Sequence, residues 1–263
     1  MGSMLVACPP RSGQSLVLRL TANRPLVVPN NRAARAPNDV RFPWRSWSPD
    51  FVGLAVLAEF CRHSWQTEMN LPPPPANDSA ETAAEIDELF NLAVNERPDH
   101  LDDIINQENN FLDYFLRVLS MTETSHPQTF NLIKCAARVA ELTMSYFKRE
   151  FARARPQQLA PALTPPMEMA GHASYPSGHA LMTRLIAACL SEVVPQVYHA
   201  ALHELADDIA RNRERAGLHF PSDTVAGKSL ADQAHPILQR SDLYRAIVEA
   251  AKEEWIYKPL PLP

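Results

Sequence analysis

The chain has 263 residues, of which 46% are hydrophobic, and this composition predicts a packed globular core rather than disorder. A formal net charge of −5 without a basic stripe argues against nucleic acid as a partner. No apolar run reaches the roughly 18 residues of a membrane span and no signal peptide is recognised, which predicts a soluble, cytoplasmic protein without a membrane partner. Four separated cysteines (Cys8, Cys61, Cys135 and Cys189) form no metal-type pairs and are expected to serve as small apolar residues in a reducing compartment.

Residues 1–80 are expected to form an irregular N-terminal arm, because prolines interrupt most of this stretch. Leu16–Leu20 and Leu26–Val28 are candidates for short strands or for parts of an extended arm. One helix is predicted over residues 51–65, and Pro72–Pro75 predicts a polyproline II linker or a clamp against the surface.

Residues 81–263 carry helical periodicity almost throughout, which predicts an all-α fold with a single compact helical bundle. The helix expected at 127–153 is apolar on most faces and therefore belongs in the middle of the bundle. A proline-rich loop is expected over 155–176. The other helices are predicted at 83–94, 99–107, 110–120, directly after His179, at 195–215, as a short helix after Pro221, and at 242–253.

A loop of small residues, 171–180, runs into the apolar segment 181–194 and is the central feature of the chain. Ser177 is the expected N-cap of the helix, with Gly178 and His179 in its first turn. A glycine at this position lets an oxyanion approach backbone N–H groups at the positive end of the helix dipole, and a histidine beside it can exchange protons near neutral pH. Taken alone, the same residues also fit an ordinary capped helix.

Two further clusters flank this loop. Lys148 and Arg155 are two helical turns apart, so they are expected to share a helix face, although cations at a helix C-terminus are also favoured by the dipole alone. Downstream, Arg213 precedes the pair His219 and Asp223. An aspartate four residues after a histidine can accept its ring N–H and leave the other ring nitrogen free. Cations, two histidines and a helix N-terminus together suit phosphoryl transfer.

The three clusters resemble, in order, the motifs of the type 2 phosphatidic acid phosphatase and vanadium-dependent haloperoxidase superfamily. Lys148–Pro156 fits K-x6-R-P, Pro176–His179 fits P-S-G-H, and Arg213–Asp223 fits R-x5-H-x3-D. The resemblance covers roughly residues 85–235, with Asn212 standing where the family commonly has serine. It implies that the helical part of the chain is the catalytic domain.

The resemblance also implies roles for individual residues. His219 would be the nucleophile that forms phosphohistidine or, alternatively, the single protein ligand of vanadate. Asp223 would orient His219, and His179 would act as general acid and base. The oxyanion would be bound by Lys148, Arg155, Ser177, Gly178 and Arg213.

The motifs leave two chemistries open. His172 gives H-x-S-Y-P-S-G-H, which resembles the bromoperoxidase form of the loop, where the extra histidine tunes halide oxidation; it also fits a loop histidine bonded to backbone. In the other direction, His219–Asp223 resembles the H-Y-P-S-D of phosphatases, and the chain is shorter than the well-known haloperoxidases. The sequence therefore favours the phosphatase.

The favoured function is hydrolysis or transfer of a phosphoryl group from a small soluble phosphomonoester, without a cofactor. The alternative is a bromo- or iodoperoxidase that holds vanadate and uses halide and hydrogen peroxide. A third is a member that binds an anion without turnover. A lipid substrate is less expected, because the lipid enzymes of the superfamily are membrane proteins. A homo-oligomer is suggested by other soluble members. His199 and His203 lie one helical turn apart but lack a third ligand, so a solvated helix face is favoured over a metal site.

Overall fold

The computed structural model describes residues 41–256, except for the side chain of Asn109. The helices of the described residues belong to the compact unit that begins at Pro43. The predicted strands at Leu16–Leu20 and Leu26–Val28, as well as Cys8, lie outside the described residues.

Within this part of the chain all regular structure is helical, and the predicted all-α fold is confirmed. The longer helices follow the predicted order closely. Short 3-10 turns occupy Trp44–Ser46, Pro161–Leu163, Gln196–Tyr198 and Glu253–Trp255. The α-helices are α1 (Pro49–Phe60), α2 (Trp65–Glu68), α3 (Ala80–Asn95), α4 (Arg97–Val118), α5 (Pro127–Phe151), α6 (Pro156–Leu159), α7 (Gly178–Ser191), α8 (His199–Arg215), α9 (Pro221–Leu238) and α10 (Asp242–Lys252).

Helices α5 and α7 form the centre of the bundle, as the apolar character of α5 predicts. α7 packs against α5, α8 and α9, and α5 also packs against α1 and α10. Leu132, Val139, Leu181 and Leu185 are fully buried between them. Burial of such side chains stabilises each by about 1.5–3 kcal/mol relative to exposure, so these helices form a rigid base for the loops at one end.

Several elements differ from the sequence predictions. The predicted loop 155–176 contains the short helix α6 and the 3-10 turn Pro161–Leu163. The helices predicted at 99–107 and 110–120 form one helix, Arg97–Val118, with a kink at Asn110 where φ is −126° and ψ is 23°. The helix predicted at 51–65 ends at Phe60, and Trp65 begins a separate turn. Helix α9 is not short but runs for 18 residues, including Pro236 near its end. Its apolar face, rather than its turn signals, determines its length.

Helix α1 and the proline run pack with the bundle. Val56 and Phe60 of α1 are fully buried in the main core. Pro72 is the first residue of the proline run, and its backbone carbonyl oxygen accepts a hydrogen bond of 2.7 Å from the Tyr175 hydroxyl. These contacts bring the proline run against the loop that precedes α7. Cys135 and Cys189 are buried, as expected, whereas Cys61 is exposed.

The backbones of α9 and α7 meet at Gly227. A Cβ atom at this position would lie 2.5 Å from the Ser177 carbonyl oxygen and 3.0 Å from the Ala180 Cβ. The contact is extended by a hydrogen bond of 2.9 Å from the Ser177 N–H to the Asp223 carbonyl oxygen. Because only glycine permits this approach, Gly227 fixes the distance between the second and third motifs.

We expect Gly227→Ala to lower the free energy of unfolding by about 1–3 kcal/mol, because the added methyl group overpacks a backbone contact that cannot yield. Gly171→Ala is the matched control, since nothing lies within 4 Å of the Cβ that it would add. Urea unfolding followed by circular dichroism measures both. Equal midpoints for the two variants would contradict the proposed close contact.

Candidate active site

The N-terminus of α7 has the predicted capped geometry. The Ser177 hydroxyl accepts a hydrogen bond of 3.4 Å from the Ala180 N–H, which confirms Ser177 as the N-cap. Gly178 begins the helix, and His179 follows it in the first turn. A Cβ at Gly178 would lie 2.2 Å from the Met144 sulfur, so a larger residue here would require the Met144 side chain to move.

The first motif reaches the site by a different route from the one predicted. Helix α5 ends at Phe151, and Ala152 adopts a left-handed conformation with φ of 49°. Arg155 therefore lies outside the helix, and the prediction that Lys148 and Arg155 share a helix face is wrong. The left-handed residue turns the chain back, and this turn, not the helical repeat, brings Arg155 to the site.

Arg155 is held on three sides. Its Nε donates to the His172 carbonyl oxygen at 2.9 Å, and Nη1 donates to the Leu218 carbonyl oxygen at 2.9 Å. Its Nη2 donates to the His172 ring nitrogen Nδ1 at 3.1 Å. The guanidinium thus ties the loop before α7 to the loop before α9.

Lys148 is buried beneath the same loop. Its Nζ donates to the carbonyl oxygens of Ala173 at 2.6 Å and Ser174 at 2.8 Å. Burial, and next the positive charge of Arg155, lower the pKa of Lys148 to about 7, although Asp223 opposes the shift. The ammonium group is therefore close to losing its proton at neutral pH.

His219 and Asp223 form the predicted pair. The ring nitrogen Nδ1 of His219 lies 3.1 Å from Oδ2 of Asp223. The same oxygen accepts from the Phe220 N–H at 3.0 Å and from the Ser174 hydroxyl at 2.5 Å. No described residue hydrogen-bonds to Nε2 of His219, so this nitrogen is left with its lone pair available.

Burial determines the protonation of this pair. It lowers the pKa of His219 to about 3; the hydrogen bond with Asp223 opposes this, and the charges of Lys148 and Arg155 add to it. Burial alone would raise the pKa of Asp223, but the hydrogen bond and charge of His219, the charge of Arg153 and the hydroxyl of Ser174 bring it down to about 2. At neutral pH the pair is a neutral imidazole beside a carboxylate.

Arg213 and His179 present unpaired buried nitrogens. Arg213 donates from Nη1 to Glu108 at 2.6 Å and from Nη2 to the Ile104 carbonyl oxygen at 2.7 Å. Among residues 41–256, neither Nε of Arg213 nor Nε2 of His179 has a hydrogen-bond partner. Burial, and then the charge of Arg213, lower the pKa of His179 to about 3. Buried nitrogens without partners are costly, and a polar ligand in the cavity that both residues line would satisfy these two.

One cavity joins these groups. Its volume of about 150 Å³ is well above the roughly 10–15 Å³ that one water needs. Apolar walls are contributed by Phe111, Met144, Met182 and Leu218. Of the sequence-predicted site residues, those that line the cavity are Arg155, His172, Gly178, His179, Arg213 and His219. The remaining three, Lys148, Ser177 and Asp223, lie buried behind that lining.

Sequence reasoning missed three residues that contact the predicted ones. Ser174 and Arg153 both bind Asp223, and Glu108 binds Arg213. Arg153 stands inside the first motif, but nothing local distinguishes it from the exposed Arg149. Glu108 lies 105 positions before Arg213, so no sequence spacing could have identified that contact.

The other histidine pair has structural contacts. His199 Nε2 lies 3.1 Å from the Val194 carbonyl oxygen, which fastens the start of α8. His203 is partly buried, and its pKa is lowered by burial first and by the charge of Arg184 next. The expectation that this pair is not a metal site stays a prediction.

Comparison with known proteins identifies the family. Residues 132–231 match the model of the PAP2 superfamily, a segment that contains all three motifs. The superfamily assignment made from those motifs is confirmed by this match. No curated protein matches the chain.

A solved structure is also similar: that of the first transmembrane PAP2 type phosphatidylglycerolphosphate phosphatase from Bacillus subtilis. The identity is 15%, the alignment covers 73% of this chain and 94% of that chain, and the TM-score is 0.47. The predicted cytoplasmic location is contradicted by this match to a transmembrane protein and is withdrawn. In the described residues, no helix combines the length and the apolarity needed to cross a membrane.

Proposed function

We propose that the protein hydrolyses or transfers the phosphoryl group of small phosphomonoesters through a phosphohistidine at His219. One observation carries the proposal: the free Nε2 of His219 opens into the same cavity as Arg155 and the unpaired nitrogens of Arg213 and His179. Membership of the PAP2 superfamily supports a phosphatase-type activity.

In the first step, Nε2 of His219 attacks phosphorus in line with the ester oxygen. A P–N bond forms, and the P–O bond to the leaving alcohol breaks. Asp223 stabilises the positive charge that develops on the imidazole. A water, or a second alcohol, then attacks the phosphohistidine and releases phosphate or a new ester. The pKa of about 3 for His219 supports this role, since the nucleophile is unprotonated throughout the neutral range.

The phosphoryl oxygens are bound by cations and by backbone. Arg155 and Nε of Arg213 supply positive charge, and the N–H of Gly178 adds the positive end of the α7 dipole. Lys148 contributes charge from beneath the loop, and Ser177 fixes the helix start. Charge neutralisation of the equatorial oxygens is the main requirement of phosphoryl transfer.

His179 handles the proton of the leaving group. Before substrate binds, its ring is neutral, because burial and Arg213 lower its pKa. A bound phosphoryl dianion beside Nε2 raises that pKa, so the imidazole takes up its proton together with the substrate. It then donates to the leaving alcohol and, in the second step, accepts a proton from water.

We expect kcat/KM for p-nitrophenyl phosphate to fall as pH rises through about 7 in the free enzyme, because Lys148, whose pKa is lowered to about 7, loses its charge there. The sign follows from the anion, which is attracted by the positive charge of the protonated ammonium behind the cavity lining. Lys148→Arg is expected to move this decline above pH 9, since arginine stays charged. A pH–rate profile from 5 to 9 checks both variants; an unchanged decline in Lys148→Arg would assign it to another group.

A second candidate is favoured by the position of His172. Its ring lines the cavity and accepts from Arg155, beside the site where an oxyanion would lie. The donors described fit vanadate as well as phosphate, with Nε2 of His219 as its protein ligand. Bound vanadate would activate hydrogen peroxide, and the neutral ring of His172 would contact the halide.

One preparation tests both functions and the third, an anion-binding member without turnover. Phosphate release is measured without vanadate, and halide oxidation is measured with hydrogen peroxide after vanadate loading. The proposal expects vanadate-free hydrolysis of p-nitrophenyl phosphate. Halide turnover with negligible hydrolysis would establish the peroxidase instead. Phosphate binding by calorimetry without either turnover would indicate the binding protein.

A further inference from the structure

Arg153 is a buried cation beside the site, yet it does not line the active-site cavity. Only 4% of the residue is exposed. Its Nη1 donates to Oδ1 of Asp223 at 2.7 Å and to the Ser222 hydroxyl at 2.7 Å. Its Nη2 donates to Glu85 of α3 at 2.8 Å. The guanidinium carbon lies 3.9 Å from the centre of the Phe220 ring, so α3, the end of α5 and the start of α9 meet at this side chain.

The bonds to Asp223 divide between its two oxygens. Oδ2 accepts from His219, Ser174 and the Phe220 N–H, whereas Oδ1 accepts from Arg153. The carboxylate is therefore fixed in position from both sides. A fork-shaped guanidinium gives such a bond both charge and direction.

We propose that Arg153 is a positioning residue for phosphoryl transfer: its guanidinium keeps Asp223 ionised and fixed, so that His219 carries its proton on Nδ1 and keeps Nε2 free. The inference rests on the proposed function. Glu85 is the structural partner of Arg153; it also accepts the Ser222 N–H at 2.7 Å and anchors the first turn of α9.

The expected direction follows from charge. A cation beside Asp223 disfavours a further proton on the His219–Asp223 pair, which titrates as one unit. Removing it raises the pH at which the ring becomes a doubly protonated imidazolium. The charged and titratable groups that face the pair from the surrounding elements are Glu85, Lys148, Arg153, Arg155 and Tyr175.

The test titrates the His219 ring by NMR without substrate, in protein labelled with ¹⁵N-histidine. Nine histidines are present, so the His219 resonances are assigned by their loss in His219→Ala. We expect the wild-type ring to remain in the neutral Nδ1–H form down to about pH 4. In Arg153→Gln, protonation moves upward by roughly one to three pH units. Arg153→Lys restores a cation and is expected to return the titration most of the way to wild type.

Glu85→Gln separates positioning from stability. It breaks the same buried ion pair and lowers the unfolding midpoint, but it removes a negative charge and so cannot shift the His219 titration upward. In turnover, Arg153→Gln is expected to lower kcat about 10- to 100-fold with KM within about threefold, because Arg153 does not line the cavity. An unshifted titration in folded Arg153→Gln, or an upward shift in Glu85→Gln, would overturn the inference. If the His219 titration shifts as expected in the variants but the wild-type protein hydrolyses no phosphomonoester, the proposed function alone is refuted.

Discussion

Replacing His219 with alanine is expected to lower phosphomonoester hydrolysis at least about 10³-fold and as much as about 10⁶-fold, because the variant lacks the nitrogen that forms the covalent intermediate. The side chain is 5% exposed, and His219 lines the cavity. Phosphate release from p-nitrophenyl phosphate, followed at saturating substrate, measures the loss.

The matched control for this variant is His100→Ala on α4, outside the cavity. It is expected to keep wild-type turnover within about twofold. Orthophosphate binding to His219→Ala should persist, because Arg155, Arg213 and the α7 N-terminus remain. Hydrolysis by His219→Ala at more than a tenth of the wild-type rate would mean that water attacks the ester directly and that the nucleophile is misassigned.

Asp223→Asn is expected to reduce kcat by about 10²- to 10⁴-fold, because an amide can no longer hold the His219 ring in the Nδ1–H form. The substitution also leaves Arg153 with one of its two carboxylate partners, Glu85, because the ion pair with Asp223 at 2.7 Å is lost. Breaking such a buried pair lowers the free energy of unfolding by about 3–5 kcal/mol. Steady-state kinetics and urea unfolding should be measured on the same sample.

Loss of stability alone would not explain the expected kinetics of Asp223→Asn. If the variant is assayed below its unfolding midpoint, KM should change little while kcat falls, because Asp223 does not line the cavity. Ser174→Ala serves as the milder companion, since it removes one hydrogen bond to Asp223 and no charge. A rate for Asp223→Asn within threefold of wild type would contradict the role given to Asp223.

Local features of the site could be predicted from the sequence because their causes are local. The cap at Ser177 needs only the hydroxyl and the apolar segment that follows it. The contact between His219 and Asp223 follows from a spacing of four residues across a helix start. Both are present in the structure at the expected positions.

Contacts between distant residues could not be predicted in this way. Arg153 reaches Glu85 across 68 positions, and Arg213 reaches Glu108 across 105. Ala152 adopts a left-handed conformation and so redirects Arg155 away from the helix. A glycine would have indicated this conformation in the sequence, but an alanine stands there. Such features depend on packing between α3, α4 and the ends of α5 and α8, which one sequence does not reveal.

The hydrophobic periodicity of the sequence predicted the helix lengths, except where packing in the folded protein outweighed the local turn and helix-end signals. Helix α9 continues to Leu238 because its residues Leu230, Ala231 and Ala234 are buried in the main core. The sequence predicts a break between two helices at residues 107–110, and in α4 a kink at Asn110 lies at this place. The kink is six positions after Ile104 and two after Glu108, which both bind Arg213.

The most direct test of the account is detection of the covalent intermediate. The enzyme is mixed with excess p-nitrophenyl phosphate, quenched in alkali to preserve phosphohistidine, digested, and analysed by mass spectrometry. We predict that the peptide with His219 gains the mass of one phosphoryl group, that the gain disappears after treatment with acid, and that His219→Ala lacks it. Rapid turnover with no phosphoryl group on His219 at any quench time, or the group on another residue, would contradict the account.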